Sequence, residues 1–411
     1  MHSTLLILAT IFALYMAWNI GANDVANAMG TSVGSRALSF KQAIIVAAIF
    51  EFAGAVLVGS HVTGTIAKGI VSPTSYAANT FALGMVSSLL AAAIWLNIAS
   101  RSGMPVSTTH SIVGAVMGFG IVGSGFSSIH WAKVLQIVLS WIISPLTGAI
   151  IAFLIFSFVK RLILQVEKPV VAAKKYAPYL SSSVILILSF AIFYKGLKNL
   201  HLCLSFNKVL LIALIISAIT FFITKTLTAK VEVREVSYKK RYPQVERIFK
   251  GLQIMTACSM AFSHGANDVA NAVGPLAGAV FAYKFTEGVS EVYVPVWVLG
   301  TGALGIVAGL ATYGFRVIIV IGRKITGMNP SRGFSAELAA ATTVLLCSRL
   351  GLPVSTTHTL VGAVIGVGLA RGIASLNLKV IKDISLAWIL TVPIAMVLSI
   401  VIYLILGMFF R

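Results

Sequence analysis

The sequence predicts an all-α polytopic membrane protein with about 12 transmembrane segments, including broken or re-entrant helices, in an inverted-topology repeat of two halves. Composition is the first reason, because 58% of the 411 residues are hydrophobic and only 10% are charged. Soluble domains carry roughly 25% charged residues. Long apolar runs and two repeated motifs are the second and third reasons.

Apolar runs mark the expected crossings, since a bilayer requires about 20 mostly apolar residues per helix. The predicted segments are 4–22, 42–60, 77–99, 105–123, 134–158, 180–195, 207–224, 251–272, 294–320, 334–348, 353–371 and 384–410. We expect all of them to be helical, because an open sheet edge in lipid would leave backbone groups without hydrogen bonds.

The basic loops predict how these segments are oriented in the cell membrane. The two densest basic segments, 159–175 and 224–250, are separated by two crossings and therefore share a side. Because Lys and Arg are enriched in cytoplasmic loops, we place both segments in the cytoplasm and both chain termini outside. This orientation puts 23 of the 31 Lys and Arg residues inside. It also explains the net charge of +20 without a nucleic-acid partner, for which no binding module is found.

Two motifs occur twice and define the halves. GANDVANAMG at 21–30 returns as GANDVANAVG at 265–274, and PVSTTHSIVGAVMG at 105–118 returns as PVSTTHTLVGAVIG at 353–366. The predicted topology gives the two copies opposite directions, which is the arrangement of secondary transporters with a central site. The predicted organisation is a first half (1–158), a connecting region with a basic loop, two helices and a cytoplasmic linker (159–250), and an inverted second half (251–411).

The GANDVANA copies supply candidate cation ligands within apolar sequence. They are Asn23, Asp24 and Asn27 in the first copy, and Asn267, Asp268 and Asn271 in the second. An ionisable residue inside a membrane segment indicates function by default. The flanking glycines favour a helix break, and freed carbonyls would join the carboxylate and amide oxygens in a cage suited to Na⁺. The alternative is that Gly and Asn only allow helices to pack closely.

The PVSTTH copies supply candidate anion ligands, Ser107, Thr108 and Thr109 with Ser355, Thr356 and Thr357. Proline followed by Ser and Thr predicts that a helix begins in each copy. The free N–H groups at a helix N-terminus bind anions, and the hydroxyls add donors without adding charge. Inverted halves would aim both helix ends at one centre, where Asn27 and Asn271 would complete the donors. Simple capping of a broken helix is the alternative.

Other polar residues in apolar surroundings are candidates outside this pattern. Glu51 and Glu337 are further candidate cation ligands, although the repeat aligns Gly302 and Leu89 with them. Possible accessory residues are Arg101, His110, Arg349 and His358. The arginines would neutralise an anion and the histidines would relay a proton, or these side chains cap helices and bond backbone groups.

Enzymes and ATP-driven pumps are disfavoured. The chain has no P-loop and no metal-hydrolase spacing. A passive anion channel would not require paired acids in an inverted repeat.

The two motif pairs, together with Glu51 and Glu337, resemble the PiT family of inorganic phosphate transporters over the whole chain. The resemblance implies secondary uptake of phosphate coupled to Na⁺ or H⁺, twelve helices, external termini and a homodimer. The short central loop is similar to that of prokaryotic members. Some relatives with these motifs carry sulfate.

The resulting hypothesis is import of inorganic phosphate across the lipid bilayer by symport with Na⁺. Phosphate would bind between the two PVSTTH helix ends, near Ser107–Thr109 and Ser355–Thr357. Na⁺ would offset its charge, with ligands Asn23, Asp24, Glu51, Asn267, Asp268 and Glu337. A proton-coupled phosphate symporter and a sulfate permease remain open alternatives.

Overall fold

A computed structural model describes residues 2–102, 106–194, 204–232, 238–285, 294–314, 327–372 and 378–410. The regular elements over these ranges are helical. They are α1 (His2–Gly34), α2 (Phe40–Val58), α3 (Ser60–Gly64), α4 (Ala78–Arg101), α5 (Thr108–Ser124), α6 (Trp131–Val159), α7 (Pro169–Phe193), α8 (Phe206–Ala229), α9 (Tyr238–Phe285), α10 (Val296–Tyr313), α11 (Pro330–Arg349), α12 (Thr356–Arg371) and α13 (Leu378–Phe410).

Eight helices in the described ranges are long and apolar enough to cross a membrane: α1, α2, α4, α6, α7, α8, α10 and α13. The predicted number of about twelve is therefore not confirmed. The remaining predicted segments fall on α5, α9, α11 and α12, of which α5 and α12 have only 17 and 16 residues. Residues 105, 195 and 315–320 of three predicted segments lie outside the described ranges.

The segment 224–250 is more helical than expected for a linker. Helix α8 continues to Ala229 and α9 begins at Tyr238, so only residues 230–237 separate them. Helix α9 then runs for 48 residues and carries the second GANDVANA copy. It links the basic segment directly to the candidate cation ligands.

Helices α4 and α5 form a hairpin whose tip lies between Arg101 and Thr108. Tyr76, just before α4, donates a hydrogen bond to the Gly120 carbonyl near the end of α5, at 3.1 Å. Helices α11 and α12 pack together in the same way around the connection 350–355. Both hairpins therefore turn just before a PVSTTH helix, which confirms that helices begin in these motifs.

The tips of the two hairpins meet. The Thr109 hydroxyl of the first hairpin donates to the Val354 carbonyl of the second, at 3.1 Å. The Trp141 indole of α6 donates to the neighbouring Pro353 carbonyl, also at 3.1 Å. The two PVSTTH helix ends are thus held side by side.

The helix break expected at the GANDVANA glycines was wrong. Helices α1 and α9 both continue through their copies of the motif. A Cβ atom at Gly21 would overlap the Ile306 carbonyl of α10, and one at Gly265 would overlap the Glu51 carbonyl of α2. These glycines bring helix backbones into contact, which is a common role of small residues between membrane helices.

Candidate ion-binding site

Each PVSTTH helix begins with a serine cap. Ser107 and Ser355 have extended backbones, and their hydroxyls accept hydrogen bonds from the N–H groups of His110 (3.2 Å) and His358 (3.1 Å). Both serines are buried. The predicted capping role is therefore confirmed, and the remaining N–H groups of each first turn lie inside the protein.

The first residue of each helix donates to an aspartate of a GANDVANA helix. The Thr108 hydroxyl lies 2.6 Å from Asp24 Oδ2, and the Thr356 hydroxyl lies 2.8 Å from Asp268 Oδ2. Thr357 crosses between the halves and donates to Asp24 Oδ1 at 3.1 Å. Both aspartates are buried. The structure therefore brings the predicted anion ligands and cation ligands into direct contact.

The GANDVANA amides bond to hydroxyl groups near the site. Asn23 donates to the Ser100 hydroxyl at 2.7 Å, and Asn271 donates to the hydroxyls of Thr108 and Thr109 at 3.1 Å. The Oδ1 atoms of Asn23 and Asn271 are buried and have no hydrogen-bond partner among the described residues. These two oxygens are available to a cation. The side chain of Asn27 lies outside the described part of the chain.

Asn267 contacts Ser348, the residue that the repeat aligns with the Ser100 partner of Asn23, and makes further contacts. With its amide nitrogen facing the acceptors, it donates to Asp268 Oδ1 at 3.1 Å and to the Val354 carbonyl at 3.0 Å. Its oxygen accepts from the Ser348 hydroxyl at 2.9 Å. It thereby connects its own aspartate to the tip of the second hairpin.

His264 is a central residue that the sequence reasoning missed. Its Nε2 atom lies 3.0 Å from Asp268 Oδ2, and its Nδ1 atom lies 3.2 Å from Glu51 Oε1. Atoms of Asp24, His264 and Asp268 all lie within 4.8 Å of one another, as ligands of one ion would. The available signal was its position one helical turn before Asp268. The motif repeat does not indicate this residue, because Ile20 occupies the matching position before the first copy.

Glu337 lies in a separate polar nest. Its Oε1 atom accepts from Thr31 (2.6 Å), Ser32 (2.6 Å) and Gln253 (3.0 Å), and its Oε2 atom accepts from Thr256 (2.7 Å). Glu337 itself is fully buried. The sequence reasoning missed its four partners, because single Thr, Ser and Gln residues on apolar helices resemble packing residues. The six predicted cation ligands thus divide between two places.

The two motif histidines form the middle of a row of rings. The centroids of His110 and His358 are 4.3 Å apart, and each ring also packs on a tryptophan. His110 lies 3.7 Å from Trp141, and His358 lies 3.5 Å from Trp388. This row joins α6, α5, α12 and α13 beside the paired helix ends.

The two matched arginines differ in their surroundings. Arg101 is exposed at the end of α4. Arg349, at the end of α11, is half-buried, and its two Nη atoms have no hydrogen-bond partner among the described residues. Arg349 is therefore the better placed of the two to meet an anion.

Comparison with known proteins agrees with this geometry. The sequence pattern of the phosphate transporter family matches residues 20–399. The chain belongs to the phosphate transporter family. Family membership indicates a transporter rather than an enzyme, and together with the apolar helices it indicates a multi-pass membrane protein.

Similar relatives extend over the whole chain. A Chlamydia trachomatis protein named "Putative phosphate permease" is 44% identical over 426 residues, covering 99% of each chain. A Haemophilus influenzae protein of the same name is 45% identical, covering 100% of this chain and 98% of the relative. A solved structure titled "The sodium-dependent phosphate transporter" is 41% identical, with a TM-score of 0.92, covering 98% of this chain and 99% of the other.

Proposed function

We propose that this member of the phosphate transporter family imports inorganic phosphate by symport with Na⁺. One observation carries the proposal: the hydroxyl of the first residue of each PVSTTH helix, Thr108 or Thr356, donates a hydrogen bond to a GANDVANA aspartate. The candidate anion ligands are therefore hydrogen-bonded to the candidate cation ligands.

Shared hydroxyls supply a mechanism of coupling. A threonine hydroxyl has one proton, so Thr108 cannot donate to Asp24 and to a phosphate oxygen at the same time. Phosphate would also be repelled by the two buried carboxylates. A cation bound to Asp24 and Asp268 offsets their charge and takes the place of the hydroxyl protons, which are then free to bind phosphate.

The ligand chemistry supports Na⁺ at this position. Hard cations prefer oxygen ligands, and Asp24 and Asp268 offer carboxylate oxygens within 4.8 Å of each other and of His264. The Oδ1 atoms of Asn23 and Asn271, in the same two motifs, are buried without a hydrogen-bond partner among the described residues. The solved relative that carries sodium in its title supports the same ion. The nest around Glu337, with hydroxyls and one amide, is a second candidate Na⁺ site.

Proton coupling is the alternative that a specific observation favours. His264 contacts both Asp268 and Glu51, so three ionisable groups form a continuous buried row. Such a row is suited to carrying protons. A sulfate permease would use the same helix ends, because both substrates are tetrahedral oxyanions.

Equivalent contacts in the two motif copies support an inverted repeat. Asp24 with Thr108 corresponds to Asp268 with Thr356, as expected for two half-sites related by a two-fold axis. The proposal includes an orientation in which both termini are external and segments 159–175 and 224–250 are cytoplasmic. It also includes a homodimer.

Uptake of labelled phosphate into proteoliposomes tests the coupling. We expect an inward Na⁺ gradient to drive uptake, and a pH gradient without Na⁺ to drive little. Asp24→Asn and Asp268→Asn should each reduce Na⁺-driven uptake by about 10-fold or more, because interactions with a charged group contribute roughly 1.5–3 kcal/mol.

The outcomes separate the candidates. Wild-type uptake in either asparagine variant would exclude the aspartates as coupling residues. Uptake driven by the pH gradient alone would favour the proton symporter. Stronger inhibition by sulfate than by unlabelled phosphate would favour the sulfate permease.

A further inference from the structure

A cavity of about 770 Å³ lies between α7, α8 and the first turns of α9, apart from the ion-binding site. Its volume is within the range of about 300–1,000 Å³ that is typical of small-molecule sites. Among the described residues of its wall, the charged ones are Lys230, Glu232 and Arg247, which together carry a formal charge of +1. The cavity therefore suits a ligand with a single negative charge.

Two polar features make the cavity suitable for an anionic ligand that also carries a hydrogen-bond donor. Lys174 donates to the carbonyls of Ala229 (3.1 Å) and Val231 (2.8 Å), and so neutralises the negative end of α8 beside the cavity. Gln244 lines the wall, and its Oε1 atom is buried without a hydrogen-bond partner among the described residues. This oxygen can only accept a hydrogen bond, so the cavity suits an anionic ligand that also carries a hydroxyl donor.

One side of the cavity continues into the lipid-facing surface of α8. Leu227 lines the wall and is 60% exposed. It extends an apolar strip along α8 that includes Ile219, Phe222 and Ile223, all more than half exposed. A ligand in the cavity can therefore have a polar part among the charges and an apolar part along the helix.

We propose that this cavity binds the headgroup of an anionic glycerophospholipid whose headgroup carries a hydroxyl. The phosphodiester contacts Lys230 and Arg247, and the hydroxyl donates to Gln244 Oε1. The acyl chains lie along the exposed strip of α8. Basic pockets between membrane helices bind acidic lipids by the same combination of contacts.

The lipid would act on the helix that carries the second half-site. Gln244, Arg247 and Met255 belong to α9, which also supplies Gln253 and Thr256 to the nest around Glu337. A bound headgroup connects α9 to α8 and stabilises the folded protein by mass action.

The test is the thermal unfolding midpoint of the purified full chain in an uncharged detergent. Dioctanoyl phosphatidylglycerol, dioctanoyl phosphatidylcholine and inorganic phosphate are titrated separately. The proteins are wild type, Lys230→Ala/Arg247→Ala, and Lys250→Ala, a matched control that removes an exposed charge of α9 outside the cavity.

We expect phosphatidylglycerol, but not phosphatidylcholine, to raise the midpoint of wild type and of the Lys250 variant. The half-maximal concentration should increase about 10-fold or more in the double variant, since each basic contact contributes roughly 1 kcal/mol. Gln244→Glu adds a negative charge to the cavity wall, which repels an anionic headgroup, and should weaken the response similarly if the double variant does not fold.

Three results would overturn the proposal. They are an equal phosphatidylglycerol response in all variants, an equal response to phosphatidylcholine, and loss of the inorganic phosphate response in the double variant, which would assign the cavity to free phosphate. The assay requires no transport, so it is independent of whether the coupling ion is Na⁺.

Discussion

At the scale of single residues, the paired threonines define what the site does. Thr108 and Thr356 stand at the first position of their helices and donate to Asp24 and Asp268. The hydroxyl is thus placed between a group that binds cations and a helix end that binds anions. In the proposed mechanism the hydroxyl donates its hydrogen bond to one partner at a time, and the bound cation determines which partner receives it.

Thr108→Val/Thr356→Val should preserve the fold and weaken phosphate binding. Valine keeps the shape but cannot donate, so the phosphate concentration for half-maximal uptake should rise about 10-fold or more, because each lost hydrogen bond to a charged group removes roughly 1.5–3 kcal/mol. The measurement is phosphate uptake at saturating Na⁺.

Thr343→Val is the matched control for this pair. Thr343 is also a buried threonine, but its hydroxyl donates to the Ala339 carbonyl of its own helix, at 2.9 Å. Its variant should transport with unchanged phosphate dependence. An unchanged half-maximal concentration in the double valine variant would remove the helix ends from the anion site.

The residues of the site could be predicted where a local rule identifies them. The caps at Ser107 and Ser355 follow from the preference for Ser before a helix. The role of His264 could not be read from the repeat, because its contacts with Glu51 and Asp268 depend on how α2 and α9 pack. The nest around Glu337 depends in the same way on contacts between distant segments.

At the scale of elements, glycines determine which helices contact each other through their backbones. On α10, a Cβ atom at Gly309 would overlap the Trp18 carbonyl of α1, whereas a Cβ at Gly300 would meet nothing within 4 Å. Sequence alone predicted that glycine weakens a helix, which is its intrinsic tendency. A close contact with a neighbouring helix makes glycine favourable at such a position, and this contact is visible only in the packed structure.

Gly309→Ala and Gly300→Ala should therefore have opposite effects on stability. The first forces α1 and α10 apart and should destabilise the protein by about 1–3 kcal/mol, as overpacking does. The second should be neutral or stabilising by about 0.5–1 kcal/mol, because alanine is the better helix former. Denaturant unfolding in detergent measures both, and equal effects would contradict a backbone contact at Gly309.

Hydropathy alone does not distinguish a re-entrant hairpin from two crossings, and the predicted fold allowed for both. The segments at 105–123 and 353–371 are apolar enough to suggest full spans, but they fold as the short helices α5 and α12. They pack against the preceding helices α4 and α11. Apolar length is similar in both arrangements, so the number of crossings was the least secure part of the prediction.

At the scale of the whole molecule, the two halves are alike at the proposed phosphate site. They differ in their buried glutamates, which have no counterpart in the other half. Asp24 and Asp268 each accept from the first threonine of a PVSTTH helix, whereas Glu51 and Glu337 align with Gly302 and Leu89. A symmetric scaffold thus carries asymmetric charges. Such a protein can present different cation sites to the two sides of a membrane.

Cysteine labelling tests the sidedness of the molecule. Phe126 and Lys168 are exposed near the two ends of α6. In a background with Cys203, Cys258 and Cys347 changed to Ser, an impermeant maleimide should label Phe126→Cys in intact cells. Lys168→Cys should react only after permeabilisation, because the basic segment 159–175 is predicted to be cytoplasmic. The reverse pattern would invert the topology.

The row of rings formed by Trp141, His110, His358 and Trp388 has a mechanical consequence. It joins the two hairpins, so opening a passage between them would separate the edge-to-face rings of His110 and His358. Packed contacts of this kind favour motion as one body. We therefore expect the two hairpins to move together as one rigid body. The gates should lie along α1 and α9, which would move relative to that body.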